Sequence, residues 1–472
     1  MTTAILLAYL FITLAIGVYA YRQSSDDPDD FFLAGRDVGP VVLFFTLIAT
    51  NFSAFFFLGF AGAGYRIGYS YYGIMSFGTA LVALTIYLIG HRSWQLGKRH
   101  GYITPPELIG ARTGSPVLKF LYLAVMVIFT VPYLALQPIG AGILLAQLTG
   151  GAIPEFSGAV LLSVFIVFYV FIGGMRSVAW TDLAQGMIML VLMGAAVWVV
   201  ADALGGLSEA NARLRDIHPS LFSREGVGGY FTPGRWISLM LLWGMAVPMF
   251  PQMFMRFFIA RRSTALRTSA RCYPLVTALL FLCPVIIGVL GHLAFPDLTG
   301  KAADRILPMM LTEFAPEWLA ALIMTGALAA FMSTMDSQLL AISSMVTRDV
   351  WVVWIERNAS LSRQVRVGRL TVVALAVAGM IIAYQPPATI FAIATQAFSG
   401  LAILFPTTVA VLYWPRVRAG ACIASIVTGE TLLAFTALGW IPDRWMLGFL
   451  PVLPLTALAA LIVVAGSLTK RP

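Results

Sequence analysis

The run "FTLIATNFSAFFFLGFAGAGY", residues 45–65, is long and apolar enough to cross a bilayer, yet Thr50, Asn51 and Ser53 interrupt its middle. About 20 apolar residues are needed to cross about 30 Å of hydrocarbon. At that depth no water satisfies a freed peptide group, so unwound backbone is tolerated only where it lines a cavity. A second run, "LLWGMAVPMFPQMFMRF", residues 241–257, carries Gly244, Pro248 and Pro251 at the corresponding depth. Proline removes a backbone donor and clashes with the preceding turn. Taken singly, each interruption reads equally well as a simple kink, because Gly and Pro are common in membrane helices. Taken as a pair, they predict two broken helices.

The rest of the chain is of the same kind. Its 472 residues are 60% hydrophobic and only 11% charged, against about 25% charged in soluble proteins. Hydropathy predicts thirteen spans, near 3–21, 40–62, 70–90, 117–148, 156–175, 180–204, 233–258, 268–296, 318–346, 367–385, 388–413, 419–440 and 447–468. The net charge of +9 is topological and does not point to nucleic acid. Of the 30 Lys and Arg, 22 (Arg256 among them) fall on one set of alternate loops and 8 on the other. The positive-inside rule then places the N-terminus outside and the C-terminus in the cytoplasm, as an odd number of spans requires. The first apolar run lacks the basic start and small-residue cleavage site of a signal peptide, so it is read as a retained span. Cys272, Cys283 and Cys422 have no metal-ligand spacing and read as free thiols.

Setting aside the first span and the last two leaves ten, in two sets of five. Five spans per set give the sets opposite orientation, the inverted-repeat plan of many secondary transporters. The expected divisions are 1–39 (extra helix and loop), 40–204 (first repeat), 205–232 (external loop), 233–413 (second repeat) and 414–472 (two C-terminal helices). The basic segment 90–115, broken by Pro105 and Pro106, is expected to be a structured loop or short surface helix.

A third stretch, "AFMSTMDSQLLAISS", residues 330–344, places Ser333, Ser337 and Ser344 near one helical stripe, flanked by Thr334 and Asp336. Hydroxyls in membrane helices often only bond their own preceding turn. A carboxylate at that depth costs at least about 2.5 kcal/mol, so Asp336 needs a cation, a partner or a proton. Asp182, in "GGMRSVAWTDLAQG" (173–186), begins a span, where it reads as a functional acid or as a complement to the helix dipole. Glu430, in a peripheral span, reads as a packing or oligomer contact. No HExxH, Walker loop or nucleophile elbow is present, so the chain is not expected to be an enzyme. Backbone carbonyls with hydroxyls suit a small hard cation, and both elements are here.

These stretches resemble the sodium/solute symporter family of proline, pantothenate, monocarboxylate, sialic acid and sugar symporters. "DFFLAGRDVGP" (30–40), "ITPPEL" (103–108), "GGMRSVAWTDLAQG", "DRILPMML" (304–311) and "AAFMSTMDSQLLAISS" (329–344) match its motifs in order and spacing across nearly the whole chain. The resemblance implies an all-α, leucine-transporter-like five-plus-five core with one extra N-terminal and two extra C-terminal helices. It also implies a main sodium site from the carbonyls of Ala49, Phe52 and Ala330 and the hydroxyls of Ser333 and Thr334. A second ion site, used by some members, would fall on Asp182, Ser333, Asp336 and Ser337. The substrate positions would be Asn51, Phe56, Gln137, Pro251 and Gln396. For Gln137 and Gln396, helix–helix hydrogen bonding is an equal alternative. The proline symporters carry an aspartate where this chain has Asn51, which weighs against proline as the solute.

The implied function is Na⁺-coupled import of a small organic acid, amino acid or vitamin across the plasma membrane (the inner membrane of a Gram-negative cell), with no cofactor beyond the coupling ion. The alternatives are proton coupling, or a membrane-embedded sensor acting through a separate signalling partner.

Overall fold

Prolines and capping side chains set where the helices start. Thr104 accepts from Glu107 N (3.2 Å) ahead of Pro105, while Glu107 accepts from Ile103 N (2.9 Å), a reciprocal cap like a capping box but reaching one residue further back. Ser115, Thr232 and Thr389 cap in the same way, two of them ahead of Pro116 and Pro233 at the first helical position. The structure, a computed structural model, describes residues 2–22 and 32–468. Among these it is helical, with no strand beyond an isolated bridge between Val38 and Ala260.

In chain order, α1 is Thr2–Tyr21, α2 Pro40–Asn51, α3 Phe55–Ile67, α4 Ser70–Thr85 and α5 Pro105–Thr113. Next come α6 Pro116–Leu148, α7 Glu155–Phe171, α8 Gly174–Ala203 and α9 Leu207–Ile217. The second half has α10 Pro233–Met249, α11 Pro251–Phe258, α12 Ser263–Leu293, α13 Ile306–Phe314 and α14 Glu317–Met345. It closes with α15 Leu361–Tyr384, α16 Ile390–Tyr413, α17 Ala419–Ala437 and α18 Val452–Leu468. Among the described residues eight helices are individually long and apolar enough to cross a membrane, and up to ten if each bent pair is one span. Large apolar side chains such as Val191, Leu275, Leu370 and Ile381 stand 65–76% exposed, as expected of surfaces that face lipid.

Both expected breaks are present. The axes of α2 and α3 meet at 58°, and those of α10 and α11 at 55°. Phe52 (φ −90°, ψ 103°) and Phe250 (φ −61°, ψ 133°) are extended at the two breaks. Gly174 (φ 61°) makes the turn between α7 and α8, a left-handed conformation costly for any residue with a Cβ. The basic segment after α4 resolves into a helical continuation, His91–His100, and the short helix α5, whose Pro105, Pro106, Leu108, Ile109 and Gly110 are buried.

Close approach of small residues fixes α3 against α12. A Cβ on Gly288 would lie 2.0 Å from Ala61 O, and one on Gly64 would lie 2.8 Å from Val285 O. The broken span is also tied at both ends. Val38 N donates to Ile259 O (3.1 Å) and Arg261 N to Val38 O (2.9 Å), beside an Arg261–Asp37 ion pair of 2.9 Å. At the far end Arg66 of α3 pairs with Asp304 (3.0 Å), whose other oxygen accepts from Ile390 N (2.9 Å) at the start of α16. Burial pushes the Asp304 carboxyl above its ordinary 3.8, with Arg66 pulling the other way.

Candidate functional site: oxygens at a helix break

Where α2 unwinds, it loses the donors that would have met its last carbonyls. The hydroxyls of α14 face them. Ser333 Oγ donates to Ala49 O (2.9 Å) and lies 2.9 Å from Ala330 O. Thr334 Oγ1 lies 3.1 Å from Phe52 O and 3.3 Å from Thr50 O. All five expected main-site residues therefore converge, each fully buried. Around an ion held at about 2.4 Å, neighbouring oxygens stand about 3.4 Å apart. The observed separations need only a few tenths of an ångström of expansion to match, with the hydroxyl protons turned outward.

One helical turn along α14, a second polar cluster is built differently from expectation. Asp182, Asp336 and Ser337 are all fully buried there, but so is Arg256 of α11. Its guanidinium bonds Asp182 Oδ2 (2.8 Å), Ser337 Oγ (2.5 Å), Thr46 Oγ1 (2.9 Å) and Gln252 O (3.0 Å). Thr46 in turn donates to Asp182. Among the described residues Asp336 is hydrogen-bonded by hydroxyls: Tyr169 donates to one oxygen, and Ser337 Oγ lies 3.0 Å from the other. Arg256, counted from sequence as a loop charge, is a correction to that count. Its membership of the span 233–258 was the signal, since an arginine inside a span demands a partner. Tyr169 carried no such signal.

The expected substrate residues divide. Asn51 and Phe56 line a small cavity at the two breaks, with Phe55, Tyr133, Trp243, Phe281 and Phe398. Its free space is about 20 Å³, room for about one water, so this arrangement is closed around the site. Asn51 Nδ2 donates to Tyr273 Oη (2.6 Å), and Phe56 stacks on Phe52 at 4.4 Å. Pro251 starts α11 beside the second break. Gln137 is engaged elsewhere: its carbonyl accepts from Ala54 N (3.0 Å), just before α3, and its amide donates to Tyr133 O (3.1 Å). That is the helix-bonding alternative. Gln396 is exposed, while Ala397 and Phe398 beside it are buried, and it stands outside the lining of this cavity. Trp243, missed from sequence, carries a buried indole N–H without a partner among the described residues. Glu430 on α17 buries both carboxylate oxygens without a partner among the described residues.

Known proteins agree with this architecture. The sequence profile of the Sodium:solute symporter family matches residues 31–429. The chain is 29% identical to the sodium/pantothenate symporter of Escherichia coli over 98% of its own length and 95% of that protein. It is 27% identical to an osmoregulated proline transporter of Bacillus subtilis, covering 98% and 94%. Against a sodium/proline symporter of Staphylococcus aureus it is 25% identical, covering 100% and 93%. In structure it superposes on a Na⁺-coupled sialic acid symporter, caught substrate-bound and outward-open, with a TM-score of 0.82 at 17% identity over 100% and 98% of the two chains. The nucleobase-cation-symport-1 family transporter Mhp1, in a closed conformation, gives 0.65 at 13% identity over 93% and 95%. With its two broken helices, its carbonyl–hydroxyl cluster and this profile match along most of its length, the chain belongs to the sodium:solute symporter family.

Proposed function

We propose that this chain carries a small organic solute into the cell together with Na⁺, by alternating access across the plasma membrane. The observation that carries this reading is the approach of the Ser333 and Thr334 hydroxyls to the freed carbonyls of Ala49 and Phe52. Sodium there would join α2 and α3 to α14 and fix the break that forms the solute cavity. Solute would bind between Asn51, Phe56 and Trp243, a mostly aromatic cavity of the kind that encloses small ligands.

Two closures support alternation. The Arg66–Asp304–Ile390 contacts shut one end, and the Val38–Ala260 bridge shuts the other. With the C-terminus in the cytoplasm, the first is extracellular and the second cytoplasmic. If α7, α18 and the helix 70–90 span alongside the ten counted above, the total is thirteen. Residues 40–204 and 233–413 then form the paired repeats, each opening on a broken helix.

The ion gradient is sufficient. One charge crossing about 100 mV gains about 2.3 kcal/mol, and a tenfold gradient adds about 1.4 kcal/mol. Together these support roughly 500-fold accumulation of a neutral solute.

The test is uptake of labelled pantothenate, proline and small carboxylates into proteoliposomes, with sodium, potassium or a pH gradient imposed. Sodium-driven accumulation and counterflow of one solute are expected. Accumulation driven by pH alone favours proton coupling, and transport of nothing favours a sensor.

A further inference from the structure

Trp414, just past the end of α16, stands in the wall of two cavities. One is an apolar groove of about 560 Å³ between α16 and α18, walled by Pro406 and Tyr413 on one side and by Leu453, Ala457, Ala460 and Val464 on the other. The last four recur at helical spacing, a single stripe of α18. From Leu453 to Val464 that stripe rises about 16 Å, and one leaflet of a hydrocarbon core about 30 Å thick is about 15 Å. Tyr413 and Val464 are 50% and 46% exposed, like the other surfaces that face lipid. The second cavity, about 800 Å³, continues the stripe to Ser467 and Leu468 and takes in Thr113, Arg416 and Arg418. Tryptophan is enriched where membrane meets water, which puts this cavity at the level of the lipid headgroups.

The polar cavity suits an anion. Among the described residues no carboxylate lines it, and Arg416, which is exposed, has no ion-pair partner. The carbonyls at the end of α16, which would repel an anion, are already taken: Arg112 Nε donates to Val411 O (2.9 Å) and Arg92 Nε to Leu412 O (3.3 Å). Helix α17 starts at Ala419 on the cavity wall without a side-chain cap, so its first amides and the positive end of its dipole lie there. Arg418 N donates to Ser467 Oγ (3.2 Å), which ties the start of α17 to α18 at the same place. Basic pockets between membrane helices hold the headgroups of anionic lipids, and here an apolar stripe leads from the pocket into the hydrocarbon.

We propose that groove and cavity together bind one anionic phospholipid, its phosphate beside Arg416, Arg418 and the start of α17, and one acyl chain along the stripe of α18. The lipid braces α16 against α17 and α18, and α16 is the helix that carries Phe398 of the solute cavity. The site depends on neither the coupling ion nor the solute.

Native mass spectrometry of the full-length chain in detergent, titrated with phosphatidylglycerol or with phosphatidylcholine of the same acyl chains, tests the site. Each arginine near the headgroups contributes about fivefold, so the first phosphatidylglycerol is expected to bind roughly 30-fold more tightly than the first phosphatidylcholine. Arg416→Gln combined with Arg418→Gln is expected to erase that preference, and Arg416→Lys combined with Arg418→Lys to keep it. Ala460→Trp fills the groove and is expected to weaken the tight phosphatidylglycerol site with both arginines in place. Equal affinity of the native chain for the two lipids overturns the proposal, and so does a preference that survives in the double glutamine variant. Inorganic phosphate that displaces phosphatidylglycerol at equal concentration, or full affinity in Ala460→Trp, shows an anion pocket without an acyl-chain groove and also overturns it. Where the double glutamine variant does not fold, Ala460→Trp decides.

Discussion

Replacing Ser333 by alanine removes one of five oxygens from the proposed sodium site and leaves Ala49 O without its 2.9 Å donor. A bond to a charged partner contributes about 1.5–3 kcal/mol, so sodium affinity should fall about 10- to 150-fold. At sodium 100 times its dissociation constant, the native chain gains about 2.7 kcal/mol of stability. A 30-fold weaker site gains only about 0.9 kcal/mol at the same concentration. Ion-free stability should drop by about 1 kcal/mol, the worth of an ordinary hydrogen bond. The assay is thermal unfolding of the purified protein in a sodium series at constant ionic strength with choline, paired with uptake at the same concentrations. The half-maximal sodium concentration should shift by the same factor in both, and Thr334→Ala should behave alike. An unchanged sodium dependence in both variants refutes the ligand set, whatever happens to stability.

Arg256→Ala strands a buried carboxylate and should cost about 3–5 kcal/mol in denaturant unfolding. A loss below about 1 kcal/mol, the range of exposed ion pairs, would contradict the burial of the Arg256–Asp182 pair. For Asp304, the closed arrangement holds the proton more tightly than a hydrated carboxylate would. Its stabilisation by protonation is therefore full below about 3.8 and fades as pH rises through the raised value. Acidification should thus slow modification of a cysteine placed at Val82 in the cavity by an impermeant thiol reagent more than the loss of thiolate slows a free thiol, and Asp304→Asn should leave only the thiolate dependence. Glu430→Leu removes a buried carboxyl that has no partner among the described residues and should raise stability by about 1–3 kcal/mol with uptake unchanged. A loss of transport would place Glu430 in the mechanism.

Membrane residence, helical class and both broken spans were legible in the amino-acid order alone, because hydrocarbon penalises every unpaired peptide group and every charge wherever it falls. Thr50, Asn51, Pro248 and Pro251 stand out against apolar runs for that reason, and so do the hydroxyls of Ser333 and Thr334, whereas their grouping with the carbonyls of Ala49 and Phe52 into one ion site was implied by the family resemblance. Partners were another matter. Nothing along the chain tells that Arg256 meets Asp182, or that Tyr169 meets Asp336 across 167 positions. Nor does it tell that Gln137 is committed to Ala54 N while Gln396 turns outward. Local hydropathy fixes how deep a residue lies, but its direction around the helix axis and the element it faces depend on contacts between segments far apart in sequence. Only the packed helices decide which buried charge meets which.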